Sequence, residues 1–362
     1  MKKILALLMA LVPACAAAQT SDWQKSWDET VAAARKEGRV VMSGPPNQEM
    51  RQALPAAFYK RFGITLEYIG NRGAEMAAKL RAERQAGIYL MDVVVAGIQT
   101  IATILYPEKM LDPLKPQLVL PEVVDGSKWK RGSLWFADPE QQHVLRLTNN
   151  MSALFHINTS VVRPEEIQSS SDLLDPKWKG KIAFQDPTFN GSGSNDTAKL
   201  YVQFGEEFIK RLYIDQKPAF SRDTRQLTDW LARGTYPIAW NAEEPQVEQM
   251  RKDNIPLMAV YRLSDMPPST SGGFGQVVLL NRAPHPNAAR VLVNWLASKE
   301  GLEVYARARR EAPTRNDIDE SFLPPDSLPR AGEAYFDTYD WDFTVNKKEP
   351  IRLRMKELLQ AR

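Results

Sequence analysis

The chain has 362 residues, 47 Lys and Arg against 44 Asp and Glu, and a formal net charge of +3. That near balance lacks the basic excess of a nucleic-acid-binding surface, and the length suffices for two hydrophobic cores rather than one. Cys15 is the only cysteine, which excludes internal disulfides and metal sites built on several thiolates.

Lys2 and Lys3 precede an apolar run over residues 4–12, and Ala14, Ala16 and Ala18 follow. This is the layout of a secretory signal, with cleavage expected after Ala18. The run is too short for a permanent membrane span, which takes about 20 residues. Val12-Pro13-Ala14-Cys15 also resembles a lipoprotein box, although Pro13 fits it poorly. Cleavage after Ala18 would remove Lys2, Lys3 and Cys15, leaving a soluble chain of charge +1 with no cysteine.

Trp23, Trp27, Val31 and Ala34 recur at helical spacing and predict a helix that Gly38 stops. A short buried strand is expected over 39–43 and a loop over 44–47, where Pro45 and Pro46 cannot donate to a sheet. A helix over 48–62, a strand over 64–69, a helix over 73–86, a strand over 91–96 and a helix over 97–105 follow. The apolar run of the 91–96 strand suits a sheet covered on both faces. Such alternation predicts an open, mostly parallel α/β sheet, whose ligands sit beyond the carboxyl ends of the strands. The loop over 43–47 and residues 96–100 lie at such ends.

A second α/β unit follows. Strands are expected over 145–147, 153–157 and 181–184, and helices over 169–174 and from Asn195 through Phe204. Next come a helix over 222–233 stopped by Gly234, a strand over 236–240 and a helix over 243–251. Residues 276–280 read as a strand, 287–296 as a helix with Val291, Leu292 and Trp295 on one face, and 351–359 as a basic amphipathic helix.

The order of these features resembles the periplasmic solute-binding proteins of ABC importers, in the branch holding ferric-ion-binding and thiamine-binding proteins. The resemblance rests on the strand, loop and helix over 40–62, on Asp92-Val93-Val94-Val95, and on Leu173-Leu174-Asp175-Pro176-Lys177-Trp178-Lys179-Gly180-Lys181. It extends to Ser271-Gly272-Gly273-Phe274-Gly275, His285-Pro286-Asn287 and Trp295-Leu296-Ala297-Ser298-Lys299-Glu300-Gly301. It implies a two-lobed α/β fold with the ligand enclosed between lobes by hinge closure. The expected division is a signal peptide over 1–18, a first lobe over 19–148 plus 268–312, and a second over 149–267 plus 313–362. The crossings are placed near 147–152 and 262–273. The implied function is an exported, non-enzymatic, monomeric protein that binds a small polar solute and delivers it to a membrane permease. A membrane sensor is the alternative partner.

Ligand-binding candidates follow from residue chemistry. Ser43 and Asn47 are polar residues on a loop at a strand's carboxyl end. Ser192, Gly193 and Ser194 open a helix, where free N–H groups and the dipole favour an anion; an ordinary capped helix fits the same residues. Arg222 offers a guanidinium for a carboxylate or phosphate, or is a solvated surface cation. Trp240, like Trp135 and Phe136, offers an aromatic face or belongs to the core. Glu243 and Glu244 either cap a helix or present a carboxylate to a cationic or hydroxyl-bearing ligand. Together these suggest an anionic or zwitterionic ligand, with no cofactor and no metal.

In the ferric-ion branch a Tyr-Tyr-Pro sequence supplies the iron ligands where this chain has Glu243-Glu244-Pro245. Iron held by these carboxylates is the alternative within the fold. An exported hydrolase is the alternative of another class. It would need a nucleophile beside a base, but Gly191-Ser192-Gly193-Ser194-Asn195 departs from a nucleophile elbow. His143, His156 and His285 stand apart and suit structural roles.

Overall fold

The computed structural model describes residues 13–330 and 332–360. The charged and apolar parts of the signal, Lys2, Lys3 and residues 4–12, lie outside the described residues. The chain forms two compact units: Met1–Thr148 with Phe274–Glu320, and Asn149–Gly273 with Ser321–Arg362. Among the described residues no helix is long and apolar enough to cross a membrane.

The first unit is built on a sheet of six strands. Strand Arg39–Gly44 is buried from Val40 onward and pairs in parallel with Thr65–Gly70 and Val93–Ala96. Strand Gln276–Leu280 then pairs antiparallel with Val93–Ala96, Gln276 opposite Ala96. The sheet is therefore mixed rather than mostly parallel. The reason lies in the connectivity: the chain re-enters this unit at Phe274, beyond the carboxyl end of Val93–Ala96, so its next strand runs back along that neighbour.

Trp27, Phe58, Phe62, Trp295 and Tyr305 are the large aromatic members of the core of this unit. The Phe58 and Trp295 rings meet edge-on at 5.3 Å. Helix Lys299–Arg309, which the sequence reading did not assign, starts on Ser298, whose Oγ accepts from Gly301 N at 3.2 Å. A Cβ at Gly301 would stand 1.9 Å from the Trp295 carbonyl oxygen, so only glycine fits where the two helices meet.

A single carboxylate ties three elements of this unit. Asp92 is fully buried; it accepts from Val41 N at 2.8 Å and from His285 N at 2.7 Å, and lies 2.9 Å from His285 Nδ1. It links the first strand, the start of the third and helix Pro286–Ala297. His285 thus has the structural role expected of it.

The second unit carries a five-stranded sheet in the order Leu257–Val260, Phe155–Asn158, Ile238–Ala239, Ile182–Gln185, Ala219–Ser221. The last three strands are mutually parallel, and Phe155–Asn158 runs antiparallel to both its neighbours. Strands Asn150–Ser152 and Ser269–Ser271, next to two of the points where the chain changes units, pair antiparallel, and Phe336–Asp337 joins them.

The core of the second unit is an aromatic stack. Trp240 lies 4.4 Å from Phe155 and 4.8 Å from Phe184, and Phe184 lies 4.3 Å from Tyr213, ring centre to ring centre. The expected strand over 236–240 shortens to Ile238–Ala239, although the Trp240 backbone N–H still donates to the Ala183 carbonyl at 2.9 Å.

Two measurements test these packing arguments. Gly301→Ala should lower stability by about 1–3 kcal/mol through overpacking against the Trp295 backbone, read as a lower thermal midpoint. Asp92→Ala leaves two buried N–H donors unsatisfied and should cost on the order of 3 kcal/mol in a denaturant melt.

Candidate functional site

In the first unit the carboxyl ends of the parallel strands carry Gly44, Gly70 and Ala96. Ser43, expected both at the end of the buried strand and in the loop, is the buried fifth residue of the strand, and its Oγ accepts from Asn71 Nδ2 at 3.4 Å. Asn47 is the N-cap of helix Gln48–Phe62, its Oδ1 accepting from Met50 N at 2.8 Å. Both side chains are engaged in holding the loop. Tyr68, which the sequence reading did not select, supports it from below, its hydroxyl donating to the Pro45 carbonyl at 2.6 Å. A Cβ at Gly44 would stand 2.6 Å from that hydroxyl. Burial pushes the Tyr68 phenol well above its ordinary range, against the opposing influence of Arg309 and Arg51, so it stays a neutral donor.

In the second unit the three parallel strands end side by side, and most of the predicted residues follow those ends. After Ile182–Gln185 the chain turns through Asp186, whose Oδ1 accepts from Thr188 N and Oγ1. It then enters helix Ser192–Lys210. Gly193 is buried against the strand it has just left. Its N–H donates to Gln185 Oε1 at 2.9 Å, and a Cβ there would stand 2.5 Å from the Gln185 carbonyl oxygen. Ser194 is buried too, its Oγ donating to the Gly191 carbonyl at 3.0 Å and accepting from Gly191 N at 3.2 Å. Gly193 and Ser194 therefore build the helix start, whereas Ser192 stands exposed at its first position.

Arg222 follows strand Ala219–Ser221 and precedes helix Thr224–Ala232, rather than opening it. Its guanidinium lies 3.3 Å from the centre of the Phe189 ring, and Nε lies 3.3 Å from Asp186 Oδ2. The side chain remains largely exposed. Asn241 follows Ile238–Ala239 in a left-handed conformation (φ 60°), which Asn tolerates better than most residues, and donates to Asp196 Oδ2 at 2.6 Å.

Four other candidates, Trp240, Glu243, Glu244 and Trp135, are engaged by neighbouring residues. Trp240 is in the aromatic core, so its face is covered by Phe155 and Phe184 rather than offered to a ligand. Glu243 is the N-cap of helix Glu244–Lys252, and its carboxylate lies 3.4 Å from Arg225 Nε. Glu244 lies 2.9 Å from Nε2 of the buried His156. Burial works against the Glu244 carboxylate, but His156 and Arg251 outweigh it and hold its pKa below the usual range. Trp135 is sandwiched between the guanidinium groups of Arg131 and Arg146, at 4.2 and 4.0 Å. Among the described residues no three His, Cys, Asp or Glu side chains converge to hold a metal ion.

Behind this edge lies a buried charged layer that the sequence reading missed. Lys199, three residues after Asp196 on the same helix, is fully buried and donates to Ser269 Oγ. Lys348, at the start of helix Lys348–Gln360, is buried as well. Burial lifts the Asp196 carboxyl above its usual range, against the Asn241 hydrogen bond and the two lysines, and depresses both lysines.

The sequence profile of the bacterial extracellular solute-binding proteins matches residues 53–327, well over half of the chain. Over 277 residues, 73% of this chain and 74% of its relative, the sequence is 24% identical to a Salmonella typhi protein named for binding 2-aminoethylphosphonate in the periplasm. The fold is shared with IdiA (FutA) of Trichodesmium, solved with iron and citrate (TM-score 0.67, 16% identity, 90% of this chain and 99% of that one). It is shared also with AfuA of Actinobacillus pleuropneumoniae, solved with fructose-6-phosphate (TM-score 0.61, 20% identity, 89% and 98%). The chain belongs to the bacterial extracellular solute-binding proteins, the components that carry solutes to ABC transporters.

Proposed function

We propose that this protein binds a small solute bearing a phosphonate or phosphate group, that its second unit grips that group, and that it acts as a monomer without catalysing a reaction. The observation that carries the reading is the edge where three parallel strands end. There the chain presents the exposed first turn at Ser192, the exposed Arg222 guanidinium and the left-handed Asn241. The Gly191 and Gly193 N–H groups are bonded within the unit, so the attraction for an anion comes from the positive end of the helix dipole and from the exposed Ser192 at the first position. A guanidinium adds charge-assisted hydrogen bonds suited to phosphoryl oxygens. Two relatives support the class of ligand: one is named for an aminophosphonate and another was solved with a sugar phosphate.

The family and the reading of residues 1–18 together support export to the periplasm, with a mature chain that starts at Gln19. Intact mass measurement of the exported protein tests this. A mass corresponding to residues 19–362 is expected, and a lipid-modified chain starting at Cys15 would contradict it.

Ligand class is tested by isothermal titration of the exported protein with 2-aminoethylphosphonate, fructose-6-phosphate and an unphosphorylated sugar. Binding is expected only for compounds with a phosphoryl group, and Arg222→Gln should weaken it by about tenfold, or 1.4 kcal/mol. Binding confined to the neutral sugar would overturn the reading.

A further inference from the structure

The first unit brings two guanidinium groups, from two different helices, to the carboxyl end of its sheet. Arg51 lies near the start of helix Gln48–Phe62 and is exposed. A Cβ at Gly70 would stand 2.6 Å from Arg51 Nη2, so this guanidinium rests against the last residue of strand Thr65–Gly70. Gly70 pairs with Gly44, where a Cβ would stand 2.6 Å from the Tyr68 hydroxyl. Paired residues of adjacent strands lie about 5 Å apart and point to one face, so Arg51 and the Tyr68 hydroxyl are neighbours there.

Arg309 ends helix Lys299–Arg309, and its guanidinium lies 5.3 Å from the centre of the Phe274 ring. Gln276 pairs with Ala96, so Phe274 stands just beyond the carboxyl end of strand Val93–Ala96. The two helices pack together, and Arg61 Nε lies 3.4 Å from Glu300 Oε2, which makes them antiparallel. From that ion pair Arg51 is ten residues back and Arg309 nine residues on, about 15 and 14 Å along the axes. Both therefore stand at the same end of the sheet, and the charges of both act on the Tyr68 phenol.

The acids nearby leave a positive surplus. Glu311 accepts from Arg309 Nη2 at 2.7 Å and from Thr148 Oγ1 at 2.9 Å, so it is matched to Arg309. Glu49, two residues before Arg51 on the same helix, does not face it. Among the described residues no acid pairs with Arg51, and the Arg309 Nε is buried with no hydrogen-bond partner. A buried donor without an acceptor is rare in a folded protein and calls for a partner from outside the chain.

We propose that Arg51 and Arg309 form an oxyanion-binding site on the first unit, which takes a phosphoryl or carboxylate group. Each guanidinium offers parallel N–H donors that match two oxygens of such a group. Arg309 keeps 18% of its side chain exposed, and Arg51 is open to solvent. Tyr68 is a positioning residue, holding the loop at Pro45 beside the site. The site is separate from the strand ends of the second unit and does not depend on their role.

The test is backbone amide NMR of the full exported chain, titrated with inorganic phosphate and with acetate against chloride of equal ionic strength. Saturable shifts are expected at Gly44, Gly70 and Asn71 for at least one of the two anions, and the stronger of the two identifies the group bound. Arg51→Gln should weaken that binding by about tenfold, the loss of a charge-assisted contact. Arg51→Lys, which keeps the charge and loses the fork, should restore only part of it. Arg51 is exposed, so both variants should melt with wild type. Arg222→Gln should leave these shifts unchanged. No saturable shift at the three amides beyond the chloride control, or equal affinity in Arg51→Gln, would overturn the proposal. The Ser192 and Asn241 amides report on the second unit in the same titration, so either site can fail without the other.

Discussion

The second unit depends on the close approach of a helix to the strand before it. At Gly193 the gap to the Gln185 backbone is too small for a side chain, and the Gln185 amide accepts the Gly193 N–H. This contact fixes where helix Ser192–Lys210 begins. The position of Ser192, the direction of the helix dipole and the line from Asp196 to Lys199 all follow from it. A bulkier residue would push the helix start off the sheet and move every one of these groups together. The glycine that sequence reasoning connects with ligand approach is therefore required one step earlier, by packing.

Both units bury charged side chains, Arg146, Arg315 and Asp92 in the first and Lys199 and Lys348 in the second. In the first unit the buried carboxylate Asp92 is matched by backbone and histidine donors, and it knits three elements. In the second, Asp196 acts on both buried lysines, and Glu349 acts on Lys348 as well.

Much of the fold was legible in the sequence because periodicity and punctuation agree there. The strand over 39–43 and the helix over 48–62 are bounded by Gly38, the two prolines and Gly63, and they appear almost as read. The parallel character of the sheets was overestimated, since strand direction depends on where the chain re-enters a unit, which local pattern does not encode. Site residues were harder for a related reason. Ser43, Ser194 and Trp240 have the right chemistry, but their side chains are turned inward, and orientation is a tertiary property. Asn241 did carry a signal: an Asn directly after a strand is a candidate for the left-handed conformation it adopts. Lys199 carried only a weak one, its spacing from Asp196, and Lys348 lies more than a hundred residues away in sequence.

The central claim is that the strand ends of the second unit hold the ligand's anionic group. It is tested most directly by backbone amide NMR of the exported protein, titrated with 2-aminoethylphosphonate. The account predicts that the amides of Ser192 and Asn241 and the Arg222 side chain shift first and furthest, as their N–H groups meet phosphoryl oxygens. Saturable binding that leaves those three signals in place while others move would contradict it.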